Sequence, residues 1–289
     1  MTNSKVVVTG GSGNLGRVTL RTFLDAGYEV LNLDVLAPHE RNCESWIADL
    51  NQTGDLYEAC KGADAVIHLA AHQAPFVAAD AEVFRNNITA TYNVFKAASD
   101  MGVRRIVHAS SVAAYGFAYA QKIWTPDYLP LNESHPLVPK DPYAFSKVFG
   151  EQMADSYVGM FDLSVVSLRF AGINFDLSYE SLPKRWAEPG KRLGTFWSYV
   201  DVRDAAESCK LAVEANVNGH ETFNIAARNS RFQTPTTELI EKYLPGTKIK
   251  GDAVGCWSGM DTSKAREQLF YKDNHVWENY IQADGSPTN

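Results

Sequence analysis

Tyr143 and Lys147 are the side chains of this sequence best suited to acid–base chemistry. They are four residues apart in a segment with a helical pattern, so both project from one face, about one turn apart. A lysine ammonium beside a phenol favours the phenolate and lowers the pKa of the tyrosine, which makes it a usable acid or base near neutral pH. Tyrosine and lysine at this spacing also occur by chance as an exposed pair. The surrounding secondary-structure elements must therefore show whether this pair is functional.

Two serines stand before this helix, at the end of a predicted strand. The strand spans Arg105–Ala109, and Ser110 and Ser111 follow it. Ligands of open α/β sheets bind at the carboxyl ends of the strands, so a hydroxyl there could hydrogen-bond a substrate carbonyl or alcohol. Ser111 is the predicted residue, although one of two adjacent serines could equally cap the strand end.

A glycine-rich turn near the start of the chain predicts a cofactor site. Residues 6–16, VVVTGGSGNLG, run from a β-branched strand through glycines into a predicted helix, an order that presents backbone N–H groups and a helix dipole to a pyrophosphate. Gly10 can take the positive φ of the turn, Gly13 lets the backbone approach the phosphates, and Gly16 lets the helix pack on the strand. Gly11, Gly13 and Gly16 also fit the general G-x-G-x-x-G pattern, and an ordinary strand–helix turn is the alternative.

Asp34 indicates which dinucleotide would bind. It closes the second predicted strand, Glu29–Asp34, 18 residues after Gly16. A carboxylate there can accept both hydroxyls of the adenosine ribose and repels a 2′-phosphate. Because no arginine or lysine follows within four residues, we predict NAD rather than NADP. Asp49 and Leu50 follow another short strand and are predicted to lie near the adenine.

The elements that position these residues alternate between strand and helix. Predicted strands at 5–9, 29–34, 65–69, 105–109 and 164–169 are interleaved with predicted helices at 18–26, 56–60, 81–101 and 143–159. This alternation predicts an α/β fold, a Rossmann-type doubly wound parallel sheet. The pattern loosens after Phe170, so residues 1–170 are predicted to form an NAD-binding Rossmann domain. Residues 171–289 are predicted to form a smaller, mixed substrate-binding region, part of which returns to the sheet.

Composition excludes several other classes of protein. The 289 residues carry a net charge of −7, from 27 basic and 34 acidic residues, which gives no electrostatic support for nucleic-acid binding. The apolar runs are too short to span a membrane. Four widely spaced cysteines suggest neither a metal site nor a disulfide framework, and reduced thiols in the cytoplasm are expected.

Five segments occur in the order and spacing of the extended short-chain dehydrogenases/reductases, and the sequence resembles that family. They are TGGSGNLG (9–16), HLAA (68–71), NNITAT (86–91), SSVAAYG (110–116) and YAFSK (143–147). The resemblance is strong over residues 5–169 and looser beyond, through WSYVDVRDAA (197–206). It implies that Tyr143 is the catalytic acid/base, that Lys147 holds the nicotinamide ribose and that Ser111 orients the substrate oxygen. Asn87 would support the active-site strand and its water relay.

Strand-end and loop positions, together with the resemblance, predict which residues contact cofactor and substrate. The predicted NAD-binding residues are Gly10, Gly13, Asn14, Leu15, Gly16, Asp34, Asp49, Leu50, Leu69, Ala70, Ala71, Tyr143 and Lys147. The predicted substrate residues are His72, Gln73, Ser111, Val112 and Arg185. Arg185 lies in a loop expected to cover the site and could bind a carboxylate or polyol, although a solvated basic pair with Lys184 is the more ordinary interpretation.

Departures from the nucleotide-sugar members narrow the expected activity. Those members carry an Arg-Tyr-Phe-Asn-type strand followed by Gly-Pro, and a later arginine. Here LRFAGINF keeps Arg169 and Gly172 without the asparagine or Gly-Pro, and Trp197 stands at the position of the later arginine. Loss of a bidentate phosphate ligand argues against a diphosphate-bearing substrate.

We therefore expect an NAD-dependent oxidoreductase that transfers a hydride between a sugar or sugar-acid hydroxyl or carbonyl and nicotinamide. It would be similar to the uronate and aldose dehydrogenases, although Val112-Ala113 stand where the uronate enzymes have polar residues. A UDP-sugar 4-epimerase or dehydratase with tightly held NAD is the alternative. A binding or redox-sensing module without turnover is disfavoured because the Tyr–Lys pair and glycine turn are intact. In that family two long helices per subunit commonly form a dimer interface, so the resemblance implies a homodimer through the helices at 81–101 and 143–159, although their apolar residues could equally face the subunit's own sheet.

Overall fold

A computed structural model describes residues 4–251 and 254–288, in which strands and helices alternate. The strands are β1 (Lys5–Thr9), β2 (Glu29–Asp34), β3 (Glu44–Ile47), β4 (Ala65–His68), β5 (Arg105–Ser111), β6 (Tyr128–Leu129), β7 (Ser164–Phe170), β8 (Gly172–Asn174), β9 (Tyr199–Asp201), β10 (His220–Ile225) and β11 (Lys248–Ile249). The α-helices are α1 (Asn14–Asp25), α2 (Gly54–Cys60), α3 (Asp80–Asp100), α4 (Pro142–Val158), α5 (Val202–Glu214), α6 (Thr236–Tyr243) and α7 (Ser263–Gln268). Short 3₁₀ turns span Val112–Tyr115, Pro183–Arg185, Pro189–Thr195 and Trp277–Asn279.

Seven strands form the central sheet, in the order β10-β7-β5-β4-β1-β2-β3. Strand β1 pairs in parallel with β2 on one side and β4 on the other, so that Val8 lies opposite both Asn32 and Ile67. The chain leaves β1 toward β2 and β3 and then crosses back to β4 and β5. Ligands bind at the carboxyl ends of the strands beside such a switch point. The predicted Rossmann-type doubly wound sheet is confirmed.

The inner strands are covered on both faces, which explains their continuous apolar runs. Val6, Val7 and Val8 are completely buried. On one face, the sheet packs with α2, α3 and α4 in a core that includes Phe95 and Tyr157. Burial of each such side chain contributes roughly 1.5–3 kcal/mol, so the core fixes the position of α4 on the sheet.

Local signals set where the helices start. In α4 the Asp141 carboxylate caps the helix, because Oδ1 accepts the N–H of Ala144 at 2.8 Å, and Pro142 occupies the first turn. The predicted cap and proline position are therefore correct. Helix α1 begins at Asn14, one turn before the predicted start at Val18, because Gly13 acts as its N-cap without a side-chain signal.

The described chain divides into two compact units, and each is built from segments that are far apart in the sequence. The first unit contains residues 4–111, 141–168 and 206–222, and the second contains residues 112–140, 169–205, 223–251 and 254–288. The expected boundary at residue 170 would divide the chain into two continuous domains, whereas the observed segments alternate between the two units. Strand β10, from the last third of the chain, belongs to the central sheet. No helix within the described ranges is long and apolar enough to cross a bilayer.

Four short strands were not predicted. Strands β6 and β11 form one two-stranded parallel pair, and β8 and β9 form another. Strands of two or three residues are too short to show a period in the sequence. The second unit has its own apolar core, which includes Tyr179, Tyr199 and Trp277.

Candidate active site

The glycine turn connects β1 to α1 in the first unit. Gly10 has a φ of 74°, and its N–H donates to the carbonyl of Leu33 at 2.9 Å. A Cβ on Gly10 would lie 2.7 Å from the backbone nitrogen of Ala70, so both conformation and space require glycine here. The backbone of Leu69 and Ala70 thus closes on the turn, and Ala71 follows it.

Close packing within the turn requires two further glycines. A Cβ on Gly16 would lie 2.0 Å from the carbonyl oxygen of Gly10, and a Cβ on Gly11 would lie 2.2 Å from Oδ1 of Asn32. Gly16 therefore brings α1 against the turn itself, and Gly11, outside the predicted cofactor set, is equally constrained. A Cβ on Gly13 would meet only the Gly10 oxygen, at 3.2 Å, so the rest of the space around Gly13 is open.

The first turn of α1 fits a pyrophosphate group. Gly13 is the N-cap, and no side chain caps the helix. The N–H groups of Asn14, Leu15 and Gly16 have no intrahelical acceptor, and the positive end of the helix dipole favours an anion there. The first turn contains no acidic residue. Donors, dipole and open space together suit the phosphates of NAD.

Asp34 lies beside this turn at the carboxyl end of β2. Its Oδ2 accepts the N–H of Ser12 at 2.9 Å, and its Oδ1 accepts the N–H of Leu36 at 3.0 Å. Two backbone donors therefore hold the carboxylate in one orientation. Each oxygen retains capacity for a further hydrogen bond, so the position suits the two ribose hydroxyls that the sequence analysis assigns to it.

The two predicted adenine residues differ in exposure. Asp49 is exposed after β3, and its Oδ1 accepts the backbone N–H of Asn51 at 2.9 Å and the side-chain amide of Asn51 at 2.8 Å. These hydrogen bonds lower the pKa of Asp49. Leu50 is buried in the core of the first unit, and its carbonyl accepts the amide of Asn93 at 2.8 Å. The Asp49 carboxylate is thus the group of this pair that a ligand can reach.

Tyr143 and Lys147 lie one turn apart on α4, with the Lys147 ammonium 5.4 Å from the centre of the Tyr143 ring. The ammonium also donates to the carbonyl of Ala109 at 2.7 Å. Ala109 lies in β5, two residues before Ser111, the last residue of that strand. The lysine therefore ties α4 to the strand that carries Ser111. Tyr143, Lys147 and Ser111 are each about nine-tenths buried.

A buried carboxylate that the sequence analysis missed completes this arrangement. Burial lowers the pKa of Lys147 to about 8, and the charge of Glu151 opposes that shift. Oε1 of Glu151 accepts the hydroxyl of Ser110 at 2.5 Å. The signal was available, because Tyr143, Lys147 and Glu151 follow one another at four-residue intervals on one helix face. The Ser110 hydroxyl is therefore committed to Glu151 in this structure.

Asn87 on α3 links the loop after β4 to the start of α4. Its Oδ1 accepts the N–H of His72 at 2.8 Å, and its Nδ2 donates to the His72 carbonyl at 3.0 Å and to the Ser146 hydroxyl at 3.2 Å. The Ser146 hydroxyl donates in turn to the carbonyl of Tyr143 at 2.7 Å. Asn87 thus holds the His72 loop against the helix of the predicted acid/base. Gln73 is exposed on that loop.

A row of polar side chains crosses the sheet of the first unit and was not predicted. Thr9, His68 and His108 are register partners on β1, β4 and β5, and the Thr9 hydroxyl bonds to Nδ1 of His68 at 2.8 Å. Nδ1 of His108 lies 3.3 Å from the Ser167 hydroxyl, which lies 2.9 Å from Nε2 of His220. Burial lowers the pKa of His68 to about 3 and the pKa of His108 well below its usual range. Both imidazoles are therefore neutral near pH 7.

Two predicted substrate residues belong to the second unit. Val112 begins a 3₁₀ turn and is buried, so its side chain is an apolar packing element. Arg185 ends another 3₁₀ turn and is exposed, and no carboxylate of the described chain pairs with it. His72, Gln73 and Ser111 lie in the first unit.

The fold and the site define a class of dinucleotide-binding enzymes. Its features here are the doubly wound sheet, the glycine turn and the Tyr–Lys pair. The profile of the NAD dependent epimerase/dehydratase family matches residues 6–173, more than half of the chain. The protein belongs to this family. The predicted family and its NAD cofactor are thereby confirmed. The individual site residues stay predictions that the geometry above supports.

Three known proteins illustrate the range of similarity. The chain is 35% identical to L-arabinose 1-dehydrogenase (NAD(P)(+)) of Haloferax volcanii over 222 residues, 74% of this chain and 84% of that protein. It is 26% identical to UDP-glucose 4-epimerase of Corynebacterium glutamicum over 311 aligned positions, 94% of this chain and 92% of that protein. A short-chain dehydrogenase/reductase superfamily protein of Agrobacterium tumefaciens, solved with bound NAD, superimposes with a TM-score of 0.73, 24% identity and 95% and 94% coverage, which shows the shared fold.

Proposed function

We propose that this protein is an NAD-dependent oxidoreductase acting on a CH–OH group of a sugar or sugar acid. The observation that carries the proposal is the buried Tyr143–Lys147 pair, bonded through Lys147 to the strand that ends in Ser111. The similarity to L-arabinose 1-dehydrogenase supports a free sugar as the type of substrate.

The chain's own residues supply the proton chemistry of this reaction. NAD, when bound, supplies the hydride acceptor. Tyr143 takes the proton from the substrate hydroxyl as the phenolate, and the Lys147 ammonium favours that phenolate. With a pKa of about 8, Lys147 is still mostly protonated near neutral pH and can also bind a ribose hydroxyl. Ser111 donates to the substrate oxygen and keeps it in reach of Tyr143.

The second unit gives no support for a diphosphate clamp at the family's arginine positions. Trp197, at the position of one such arginine, is completely buried, and its indole N–H donates to the carbonyl of Pro189 at 3.0 Å. Arg169 is also buried, and its Nη1 donates to the Tyr115 hydroxyl at 3.0 Å and the Glu133 carbonyl at 3.2 Å. Both positions serve packing, which favours a substrate without a nucleoside diphosphate.

A UDP-sugar 4-epimerase is the second candidate. The alignment with the Corynebacterium glutamicum epimerase extends over 94% of this chain, further than the alignment with the arabinose dehydrogenase. An epimerase uses the same acid/base but returns the hydride to its substrate. It therefore forms no net NADH.

A substrate panel tests the proposal and separates these candidates. Purified protein is incubated with NAD and with aldoses, uronic acids or UDP-sugars, while reduced cofactor is followed by absorbance and sugars by chromatography. Net NADH from a free sugar is the expected result. Isomerisation of a UDP-sugar without net NADH would establish the epimerase instead.

We also propose a homodimer, with α3 and α4 at its interface. Phe145 and Phe149 on α4 and Tyr92 on α3 are exposed apolar side chains. Val94 and Phe95, by contrast, are completely buried in the core of the first unit. Sedimentation equilibrium of the native chain and of Phe149→Glu measures the association; dissociation by the substitution is expected.

A cytoplasmic location is proposed from the cysteines. All four thiols, Cys43, Cys60, Cys209 and Cys256, are free. Unpaired cysteines are typical of reducing compartments. Cell fractionation with an antibody to the protein tests this location.

A further inference from the structure

A buried guanidinium in the second unit lacks an anionic partner. Arg231 is 6% exposed, and its Nη2 donates to the carbonyls of Ser198 at 2.8 Å and Gly172 at 3.3 Å. Its Nε is buried without any hydrogen-bond acceptor. The guanidinium carbon lies 5.8 Å from the centre of the Tyr199 ring. Two carbonyls and an aromatic face leave a full positive charge uncompensated, which is costly for a group removed from water.

Hydrogen bonds link the chain segments of two further arginines to the segment of Arg231. The Trp197 carbonyl accepts the N–H of Arg231 at 3.0 Å, and the Trp197 N–H donates to the Arg192 carbonyl at 3.3 Å. The indole of Trp186, the neighbour of Arg185, donates to the Arg231 carbonyl at 2.9 Å. Arg185 and Arg192 are both exposed. The three segments are thus tied together with arginines on each.

The charges in this region remain unbalanced. Burial lowers the pKa of Arg231 to about 9, and the charges of Arg192 and Arg185 act in the same direction. No carboxylate of the described chain pairs with any of the three, and Glu188, the acidic residue between Arg185 and Arg192, bonds to Lys191 at 2.8 Å. Residues 184–192 carry a net charge of +3 in a chain whose total is −7. Like charges held together repel unless an anion lies between them.

We propose that Arg185, Arg192 and Arg231 form an oxyanion-binding site that holds the carboxylate or phosphate of an anionic sugar. Arginine suits this ligand because its planar fork donates two parallel hydrogen bonds to one oxyanion. Gly172 leaves room for the Arg231 guanidinium itself, since a Cβ there would lie 2.9 Å from Nη2 of Arg231. The sugar part of the proposal rests on the proposed function, whereas the anion part rests on these residues alone.

Calorimetric titration of the whole protein tests the site without turnover. The probes are inorganic phosphate, acetate, D-glucuronate, D-glucose 6-phosphate and neutral D-glucose. We expect an anionic sugar to bind at least tenfold more tightly than glucose. The tighter of glucuronate and glucose 6-phosphate identifies a carboxylate or a phosphate as the natural group. Arg185→Ala and Arg192→Ala should each weaken anion binding about tenfold, the size of one charge-assisted hydrogen bond.

Lys184→Ala is the matched control, because it removes an exposed positive charge adjacent to Arg185. It should leave anion affinity within twofold of the native value. Arg231→Gln adds a third variant, and the two exposed arginines decide the outcome if it does not fold. Equal affinities for glucose and both anionic sugars, or native anion affinity in Arg185→Ala and Arg192→Ala, would overturn the proposal.

The outcome is separable from that of the proposed function. If a sugar yields NADH and the arginine variants keep native anion affinity, the oxidoreductase stands and the oxyanion site falls. If no sugar reduces NAD but the arginine variants lose phosphate binding, the oxyanion site stands and the proposed reaction falls.

Discussion

Tyr143 is the residue on which the proposed chemistry depends most directly. Tyr143→Phe removes only the hydroxyl and keeps the ring that packs beside Lys147. Turnover should fall about 10²–10⁴-fold, the usual contribution of a positioned acid or base, while NAD affinity changes little. NADH formation and cofactor titration measure the two effects.

Tyr28→Phe is the control for that experiment. The Tyr28 hydroxyl donates to Glu214 at 3.0 Å, and Tyr28 precedes the amino end of β2, opposite the ligand-binding edge of the sheet. This variant should retain native turnover. Native turnover in Tyr143→Phe itself would remove the residue from the mechanism.

The Asp34 carboxylate is predicted to determine the preference for NAD over NADP. The native protein should use NAD with a kcat/KM more than tenfold above that for NADP, because a 2′-phosphate would meet the Asp34 charge. Asp34→Asn keeps an acceptor oxygen for one of its two backbone donors, Ser12 and Leu36. The variant should lose much of this preference. Comparable kcat/KM for both cofactors in the native protein would contradict the assignment.

Within helix α4, the charge of Glu151 affects the pKa of Lys147, which lies one turn away. The Glu151 charge raises the pKa of Lys147, which burial lowers to about 8. Glu151→Gln should therefore move the alkaline limb of kcat/KM to lower pH, by roughly one unit. Ser110→Ala removes the hydrogen bond to Glu151 but keeps the carboxylate, so its limb should stay in place. Identical pH profiles for Glu151→Gln and native protein would exclude this positioning role.

The turn between β1 and α1 leaves no room for a side chain at Gly16. In Gly16→Ala the new Cβ would lie 2.0 Å from the Gly10 carbonyl oxygen. Overpacking of this kind costs about 1–3 kcal/mol, so Tm should fall by roughly 2–10 °C, and NAD affinity should fall with it. Gly54→Ala is the control, because a Cβ at Gly54 meets nothing within 4 Å. Thermal unfolding and cofactor titration compare the two; a Tm for Gly16→Ala equal to that of Gly54→Ala would refute the argument.

Prediction from sequence succeeded where a local signal exists. Asp141 and Pro142 mark the start of α4 through a carboxylate cap and a fixed φ, and both lie where expected. Asn14 was missed as the start of α1 because its N-cap is a glycine without a capping side chain. The partnership of His68 with His108 depends on the register of parallel strands far apart in the chain, which periodicity does not specify.

At the scale of the whole molecule, buried titratable groups make the free energy of unfolding depend on pH. The pKa of His68 is about 3 in the folded protein and near 6.5 in an unfolded chain. Between these values the unfolded state binds a proton that the folded state does not. The stabilisation from the neutral imidazole is therefore complete above pH 6.5 and is lost as pH falls toward 3.

Other buried groups also change the free energy of unfolding over this pH range. The test therefore compares how steeply that free energy changes with pH rather than its absolute value. His108 acts in the same sense as His68, whereas Asp204, whose pKa burial raises to about 7, acts in the opposite sense. Urea unfolding of native protein and His68→Asn at pH 6.5, 5.75 and 5.0 isolates one imidazole. The free energy of unfolding of the variant should fall less steeply, by about 1.4 kcal/mol per pH unit. His39→Asn, which changes an exposed histidine, should keep the native slope, and a native slope in His68→Asn would show that His68 is protonated in the folded protein.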